Sequence, residues 1–385
     1  MNFDTIDGPE NFEIIKMIGQ GAVGTVYKVK EKMTQNIYAM KTVKKQFVLS
    51  KNKVERCFNE QQILLLLDHP FIINMYFTFQ TNTHLYFILD YCSGGNLYNL
   101  LKIHGHFSED WIRFYSSEIL LGIEYLHFMG CIYRDLKPEN ILIKSCGHIA
   151  ITDFDLATFD PNQDSKINIS LWEKIKNKFL LNETHHFSSE PNILRYSFVG
   201  TIEYIAPEIL LLHQYTSGVD WWSFGILLFE LAYGKTPFVN NNYNKITKSI
   251  LNQKPKFQHI SKKLKSLIKK LLKKDPKKRL GYKGGANDIK DHIFYKNINW
   301  QFIRNNTPPY IPPNSDNDNN YDNNKDISID LKKSFMPSKY RSRFNTNPPI
   351  QNSDLEINNF RERFYSEPND KFKDFGVLTK IQHHY

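Results

Sequence analysis

The sequence predicts an α+β protein of two lobes, a small β-rich N-lobe with one main helix followed by a larger helical C-lobe. Three observations predict it. The opening hundred residues consist of short β-branched and aromatic runs broken by one helical segment. After Gly95 the apolar residues recur at helical spacing. Finally, 41% of the 385 residues are hydrophobic and 14% aromatic, enough for a substantial core and too much for a wholly disordered chain.

The elements follow in order. Residues 1–11 read as an extension. "FEIIKMIG" (12–19), "VGTVYKVKEK" (23–32), "NIYAMKTV" (36–43) and "LYFILDYC" (85–92) read as strands, and "NKVERCFNEQQILLLL" (52–67) reads as a helix. This places the N-lobe at 12–90 and the C-lobe at 91–300. In the C-lobe, "DWIRFYSSEILLGIEYLHFMG" (110–130) and "VDWWSFGILLFELAYG" (219–234) are helical, and "LKSLIKKLLKK" (264–274) puts its leucines on one stripe. Residues 160–195 are polar without sustained periodicity and read as an insert. From about Asn305 the chain turns Asn-, Asp- and Pro-rich, so 301–385 reads as a partly disordered tail.

Composition narrows the function classes. The N-terminus carries acids and no apolar stretch, so no secretory signal is expected. No apolar run approaches the roughly 18 residues of a membrane span. No lipidation motif stands at either end. Cys57, Cys92, Cys131 and Cys146 lack CxxC spacing and read as reduced thiols of an intracellular, cytoplasmic protein. The histidines have no partners at metal spacing. Net charge is +10, and between Lys254 and Lys283 thirteen Lys or Arg face one acid, Asp275. That run reads first as a solvated helix face. A weak contact with acidic membranes stays open, and nucleic acid is not expected as a partner.

The chemistry begins at "GQGAVGTV", with Gly19, Gly21, Gly24 and Val26. Glycines so spaced let a strand–turn–strand lay backbone amides over phosphates. A dinucleotide fold would continue into a helix, whereas "TVYKVKEK" alternates as a strand. Lys41, in the apolar strand "YAMKTV", needs a counter-ion, and Glu60 on the following helix is the natural one. Such a pair presents the ammonium to nucleotide phosphates. In "CIYRDLKPENILI", Asp135, Lys137 and Asn140 lie within six residues. Asp135 would orient or accept a hydroxyl proton, Lys137 offset charge on a moving phosphoryl group, and Asn140 hold Mg²⁺. Phosphoryl transfer needs all three because positioning and electrostatics carry it.

In this order the segments resemble eukaryotic protein kinases, over about residues 12–300. The Tyr-Arg-Asp form and the tail narrow the resemblance to AGC-group serine/threonine kinases. It implies ATP as phosphoryl donor, with Asp90 to Cys92 as the adenine hinge and Leu89 as gatekeeper. Asp153 of "ITDFDLAT" becomes the second Mg²⁺ ligand. Glu208 of "IAPE" would pair with Arg279, and Asp220 would anchor the catalytic loop from below. Lys137 and Thr201 fit serine/threonine rather than tyrosine specificity. Glu139 and Glu230 match positions that receive substrate arginines, although Asn96 stands where relatives usually carry an acid. Protein substrates with Ser or Thr near basic residues, and an upstream activating kinase, would be the partners. Ser197 would receive the activating phosphate and pair with Arg134, while Phe372 and Phe375 resemble the tail aromatics that brace the Glu60 helix.

The resemblance is imperfect at Asp155, which replaces the glycine usual after Asp-Phe. Asp tolerates left-handed or bridge backbone, and phototropin-type kinases and their fungal flippase-regulating relatives are similar here. Asp155 therefore reads as a subgroup mark. Their light-sensing domains have no counterpart in this sequence, so photoreception is not expected. Two rivals stand beside the enzyme: a pseudokinase scaffold, motivated by Asp155 and the insert, and a lipid-surface protein driven by the lysine run.

Overall fold

The structure is a computed structural model that describes residues 8–21, 24–159, 202–240, 242–313, 371–372, 375–376 and 378–379. The insert at 160–195, Ser197 and Thr201 lie outside the described residues. The chain divides into two compact units: Met1–Phe58, Asn74–Tyr91 and Asn314–Tyr385 form one, and Asn59–Ile73 with Cys92–Pro313 form the other.

In the first unit, β1 (Phe12–Gln20), β2 (Gly24–Glu31), β3 (Ile37–Lys44), β4 (Met75–Gln80) and β5 (His84–Asp90) form an antiparallel sheet in the order β1-β2-β3-β5-β4. Alternation buries Phe12, Val29, Met40, Phe79, Tyr86 and Ile88 together, with Phe79 stacked between Phe12 and Tyr86 at ring distances of 6.0 and 5.2 Å. Register places Val26 opposite Lys41, and Lys41 opposite Phe87. After β3 come a short helix α1 (Lys45–Ser50) and the start of α2 (Val54–Leu66). A sixth strand, β10 (Leu378–Thr379), pairs antiparallel with β4.

The second unit is helical. Helix α3 (Leu97–His104) starts at Asn96, whose side chain accepts from the Asn99 amide at 2.9 Å. Ser108 caps α4 (Glu109–Phe128) in the same way. After α5 (Pro207–Leu210), α6 (Gly218–Tyr233) is buried on every side and ends at Gly234, in the left-handed region at φ 69°. Then come α7 (Tyr243–Asn252), α8 (Lys262–Leu271) and α9 (Ala286–Lys290). The α8 stripe of Leu264, Leu267, Ile268 and Leu271 is buried, and Gly225 of α6 admits α8 so closely that a Cβ there would lie 2.9 Å from Leu271.

Two short hairpins set up the chemistry. β6 (Cys131–Ile132) pairs with β9 (Thr158–Phe159), and β7 (Ile141–Ile143) pairs with β8 (Ile149–Ile151). Loop 133–140 therefore leaves β6 and enters β7, while loop 152–157 leaves β8 and enters β9. Both loops are pinned at both ends beside each other, and the Thr152 amide donates to the Asn140 carbonyl at 3.0 Å.

Candidate active site

The loop 133–140 is held from below by Asp220, the third residue of α6. Its buried carboxylate accepts from the Tyr133 amide at 2.9 Å, the Arg134 amide at 2.7 Å and His127 Nε2 at 2.8 Å. Arg134 has φ 65° and Asp153 φ 63°. Each such conformation costs roughly 1–2 kcal/mol and persists only where surroundings over-determine it. Here they do: Tyr133 donates its hydroxyl to the Thr152 carbonyl at 2.5 Å, and its ring packs on Phe154 at 5.4 Å.

Asp135 sits at the centre of this loop. Lys137 Nζ reaches both of its carboxylate oxygens, at 2.9 and 2.7 Å, and Asn140 Nδ2 donates to its Oδ2 at 2.7 Å and its carbonyl at 2.9 Å. Burial pushes the carboxyl up to about 6; Lys137 and Asn140 pull it down, and the neighbouring Asp153 charge pushes it up again. Burial alone would lower the Lys137 ammonium, but Asp135 beside it leaves it raised. Because Asn140 turns its amide nitrogen toward Asp135, its carbonyl oxygen faces the other way. An amide oxygen and the Asp153 carboxylate are the hard oxygen donors that Mg²⁺ prefers. The donor set fits Mg²⁺.

Of the two conformations that Asp155 would tolerate, the left-handed one is not used. Among the described residues the positive φ falls on Asp153, and Asp155 is not in the left-handed region. A glycine is therefore not required at 155 to supply positive φ. Asp155→Gly should leave transfer within about tenfold, ~1.4 kcal/mol in barrier. A change of several orders of magnitude in steady-state rate would contradict this account. Arg134 Nε donates to the Leu156 carbonyl at 2.6 Å and Nη1 to the Tyr215 hydroxyl at 2.8 Å, while Ser197, its expected partner once phosphorylated, lies outside the described residues.

The first unit carries the glycine hairpin. Gly24 is required sterically, since a Cβ there would fall 1.8 Å from the Thr42 carbonyl oxygen of β3. At Gly19 and Gly21 a Cβ meets nothing closer than 3.7 Å, so packing among the described residues does not explain glycine there. Val26 is half-buried on β2. Lys41 is half-buried rather than buried as its apolar strand suggested, with its ammonium 5.7 Å from the Phe87 ring centroid. Asp90 fastens β5 to β4 by accepting from Asn74 N and Nδ2 at 3.1 Å and from the Tyr76 hydroxyl at 2.6 Å. Leu89 is buried. In the second unit, Cys92 is half-buried and Glu60 buried on α2.

An acidic cluster lies in the second unit. Glu139 and Glu230 are joined by Glu203, which the sequence did not single out; it accepts from Thr236 Oγ1 at 2.8 Å. Tyr204 donates its hydroxyl to Glu230. Burial pushes Glu230 up to about 7; the Tyr204 hydrogen bond lowers it, and the charges of Glu139 and Glu203 raise it. Burial likewise raises Tyr98, with Glu139, Glu230 and Glu203 adding to the shift. These side chains therefore share one electrostatic neighbourhood. Asn96, whose side chain caps α3, adds no charge to it.

The tail aromatics are docked in the first unit. Phe372 and Phe375 are fully buried against Phe58 of α2, at ring distances of 6.4 and 5.8 Å, and Phe375 meets Phe87 edge-on at 5.4 Å. Lys45 Nζ lies 5.2 Å from the Phe372 ring centroid, and Gln80 Nε2 donates to the Phe372 carbonyl at 2.9 Å. Gly376 follows, its carbonyl accepting from Thr78 Oγ1 at 3.4 Å, and β10 continues the sheet. Glu208 and Arg279 form a buried two-pronged pair, Nη1–Oε1 2.6 Å and Nη2–Oε2 2.8 Å.

The chain belongs to the protein kinase family, whose domain matches residues 12–295. Its relatives place it among AGC-type serine/threonine kinases of the phototropin and flippase-kinase subgroup. It is 39% identical to flippase kinase 1 of Saccharomyces cerevisiae over 98% of this chain and 41% of that protein. To serine/threonine-protein kinase nrc-2 of Neurospora crassa it is 44% identical, over 79% of this chain and 50% of that one. To phototropin-2 of Oryza sativa subsp. japonica it is also 44% identical, over 78% and 34%. The chain thus spans half the length or less of these relatives.

Proposed function

We propose that this chain transfers the γ-phosphoryl group of ATP to serine and threonine hydroxyls of protein substrates. The observation that carries this is Asp135, half-buried, gripped by Lys137 and Asn140, and fixed through Asp220. A substrate hydroxyl donating to the Asp135 carboxylate is oriented for attack, and Lys137 stands at that carboxylate to offset charge on the transferring group. Asn140 and Asp153 would hold Mg²⁺, which supplies charge neutralisation on the phosphates when bound. Gly19, Gly21, Gly24 and Val26 would cover the phosphates, Lys41 with Glu60 would contact them, and Asp90 to Cys92 would receive adenine. Labelled phosphate from γ-labelled ATP should enter a serine peptide only when Mg²⁺ is present. Label in the presence of excess chelator, or none in its absence, counts against the reading.

The acidic cluster supports a preference for arginine before the target residue, because guanidinium pairs bidentately with carboxylates. Glu139, Glu203 and Glu230 would read it, less strictly than the family norm because Asn96 adds no charge. Thr201 would lie at the acceptor site. The arginine preference should depend on pH. Glu230 is a carboxylate above about 7 and neutral below it, so its attraction is lost as pH falls. Between pH 8 and 6 the kcat/KM ratio of an arginine peptide to its alanine analogue should fall, by at most about tenfold. A ratio that rises on acidification would overturn this.

Regulation would act through phosphate on Ser197, added by an upstream kinase, and through the docked tail. Replacing Phe372 and Phe375 together by alanine should lower kcat by about tenfold, ~1.4 kcal/mol in barrier, through loss of the brace on α2. Unchanged kcat with the tail displaced would refute the brace. We further propose a cytoplasmic location with weak contact to acidic membranes through Lys254–Lys283, where Lys262, Lys263, Lys269, Lys270 and Lys273 are exposed. Liposome sedimentation that is insensitive to salt would count against that contact.

A further inference from the structure

We infer that Tyr215 is a positioning residue for the catalytic loop, holding the Arg134 guanidinium on the Leu156 carbonyl so that the loops bearing Asp135 and Asp153 stay in register without a phosphate. The inference rests on the phosphoryl-transfer reading above. Arg134 is the residue immediately before Asp135, and Leu156 lies three residues after Asp153. Its Nε–Leu156 bond at 2.6 Å is thus a direct tie from the catalytic loop to the turn that carries the metal ligand. A guanidinium is a flat fork of fixed geometry, so two bonds from different nitrogens set its plane, whereas one leaves it free to pivot. The second bond is Nη1 to the Tyr215 hydroxyl at 2.8 Å.

Tyr215 lies in the turn between α5 and α6, five residues before Asp220. Asp220 grips the Arg134 backbone amide at 2.7 Å while Tyr215 grips the far end of its side chain. One short stretch thus holds a residue that is itself in strained left-handed conformation, φ 65°. Strain of this kind is released when a restraint is lost, and the release would run along the side chain to Leu156. A phosphate on Ser197 would offer Arg134 stronger, charged acceptors than a phenol. Tyr215 therefore matters most when that phosphate is missing.

The test measures kcat and KM for Tyr215→Phe in two settings: a Ser197→Ala background and enzyme phosphorylated at Ser197. In the Ser197→Ala background kcat should fall about tenfold with both KM values within about twofold, since orientation rather than binding is lost. In the phosphorylated enzyme the loss should be no more than about twofold. Tyr215→Gln, which returns an acceptor oxygen, should recover part of the kcat, and the Tm of each variant should match its parent. Equal kcat losses in the two settings, an unchanged kcat in the Ser197→Ala background, or a rise in KM alone would overturn the inference. So would a Ser197→Ala protein with no measurable transfer, since Tyr215 is then unable to hold the loop. A wild-type chain that transfers no phosphate sinks the underlying functional reading, whereas an active wild type with a silent Tyr215→Phe sinks this inference alone.

Discussion

Asp135→Asn should lower phosphoryl transfer by roughly 10²–10⁴-fold, the span of a positioned proton acceptor, while nucleotide binding and Tm stay close to wild type. The carboxylate accepts from Lys137 through both oxygens and from Asn140 through Oδ2. An asparagine keeps the volume and one acceptor oxygen but turns an NH₂ group toward those donors. Incoming hydroxyls then lose the anionic acceptor that orients them. This variant also separates enzyme from scaffold. A pseudokinase would bind its partners equally with Asp or Asn at 135 and would show no transfer to lose. The assignment of Asp135 fails if the variant transfers labelled phosphate at the wild-type rate.

Arg279→Leu should destabilise the folded protein by about 3–5 kcal/mol, lowering Tm by about 5–8 °C for a domain of this size. The guanidinium donates to both oxygens of Glu208, to the Gly218 carbonyl at 2.8 Å and to the Lys273 carbonyl at 3.3 Å. Both side chains are almost wholly buried, at 1% and 5% exposure. Leucine would leave the Glu208 carboxylate desolvated with its two guanidinium bonds gone, a cost far above that of a surface pair. Replacing Glu208 by glutamine as well should recover part of the loss, because the stranded charge is then removed. Thermal unfolding decides it: a loss below about 1 kcal/mol would show that the pair behaves as an exposed one.

Much of this site was legible in the sequence because its chemistry fixes residue type and spacing together. Asp135, Lys137 and Asn140 lie in one loop, so their order along the chain already reports their proximity. Asp220 and the Glu208–Arg279 pair were legible only through resemblance, since 71 residues separate the paired side chains. Glu203 was missed for a related reason: it joins Glu139 and Glu230 through folding, and no local pattern marks it. The positive φ at Asp153 had no signal in the sequence, where Asp155 was the unusual residue. Arg134 was expected to meet a phosphate, and its bonds to Leu156 and Tyr215 depend on a turn far along the chain. In the small sheet, β4 carries the period-2 signal of "MYFTFQ" and could have been found. The two-residue β10 could not, because its only support is the edge of β4.

The function proposed for this chain is phosphorylation of serine and threonine in basic surroundings. Its most direct test is a positional-scanning peptide library with serine, threonine or tyrosine as acceptor, incubated with γ-labelled ATP and Mg²⁺. Label is expected on serine and threonine acceptors, strongest where arginine precedes the target, with background on tyrosine. Label on tyrosine, a preference for acidic residues before the target, or no label on any acceptor would contradict it.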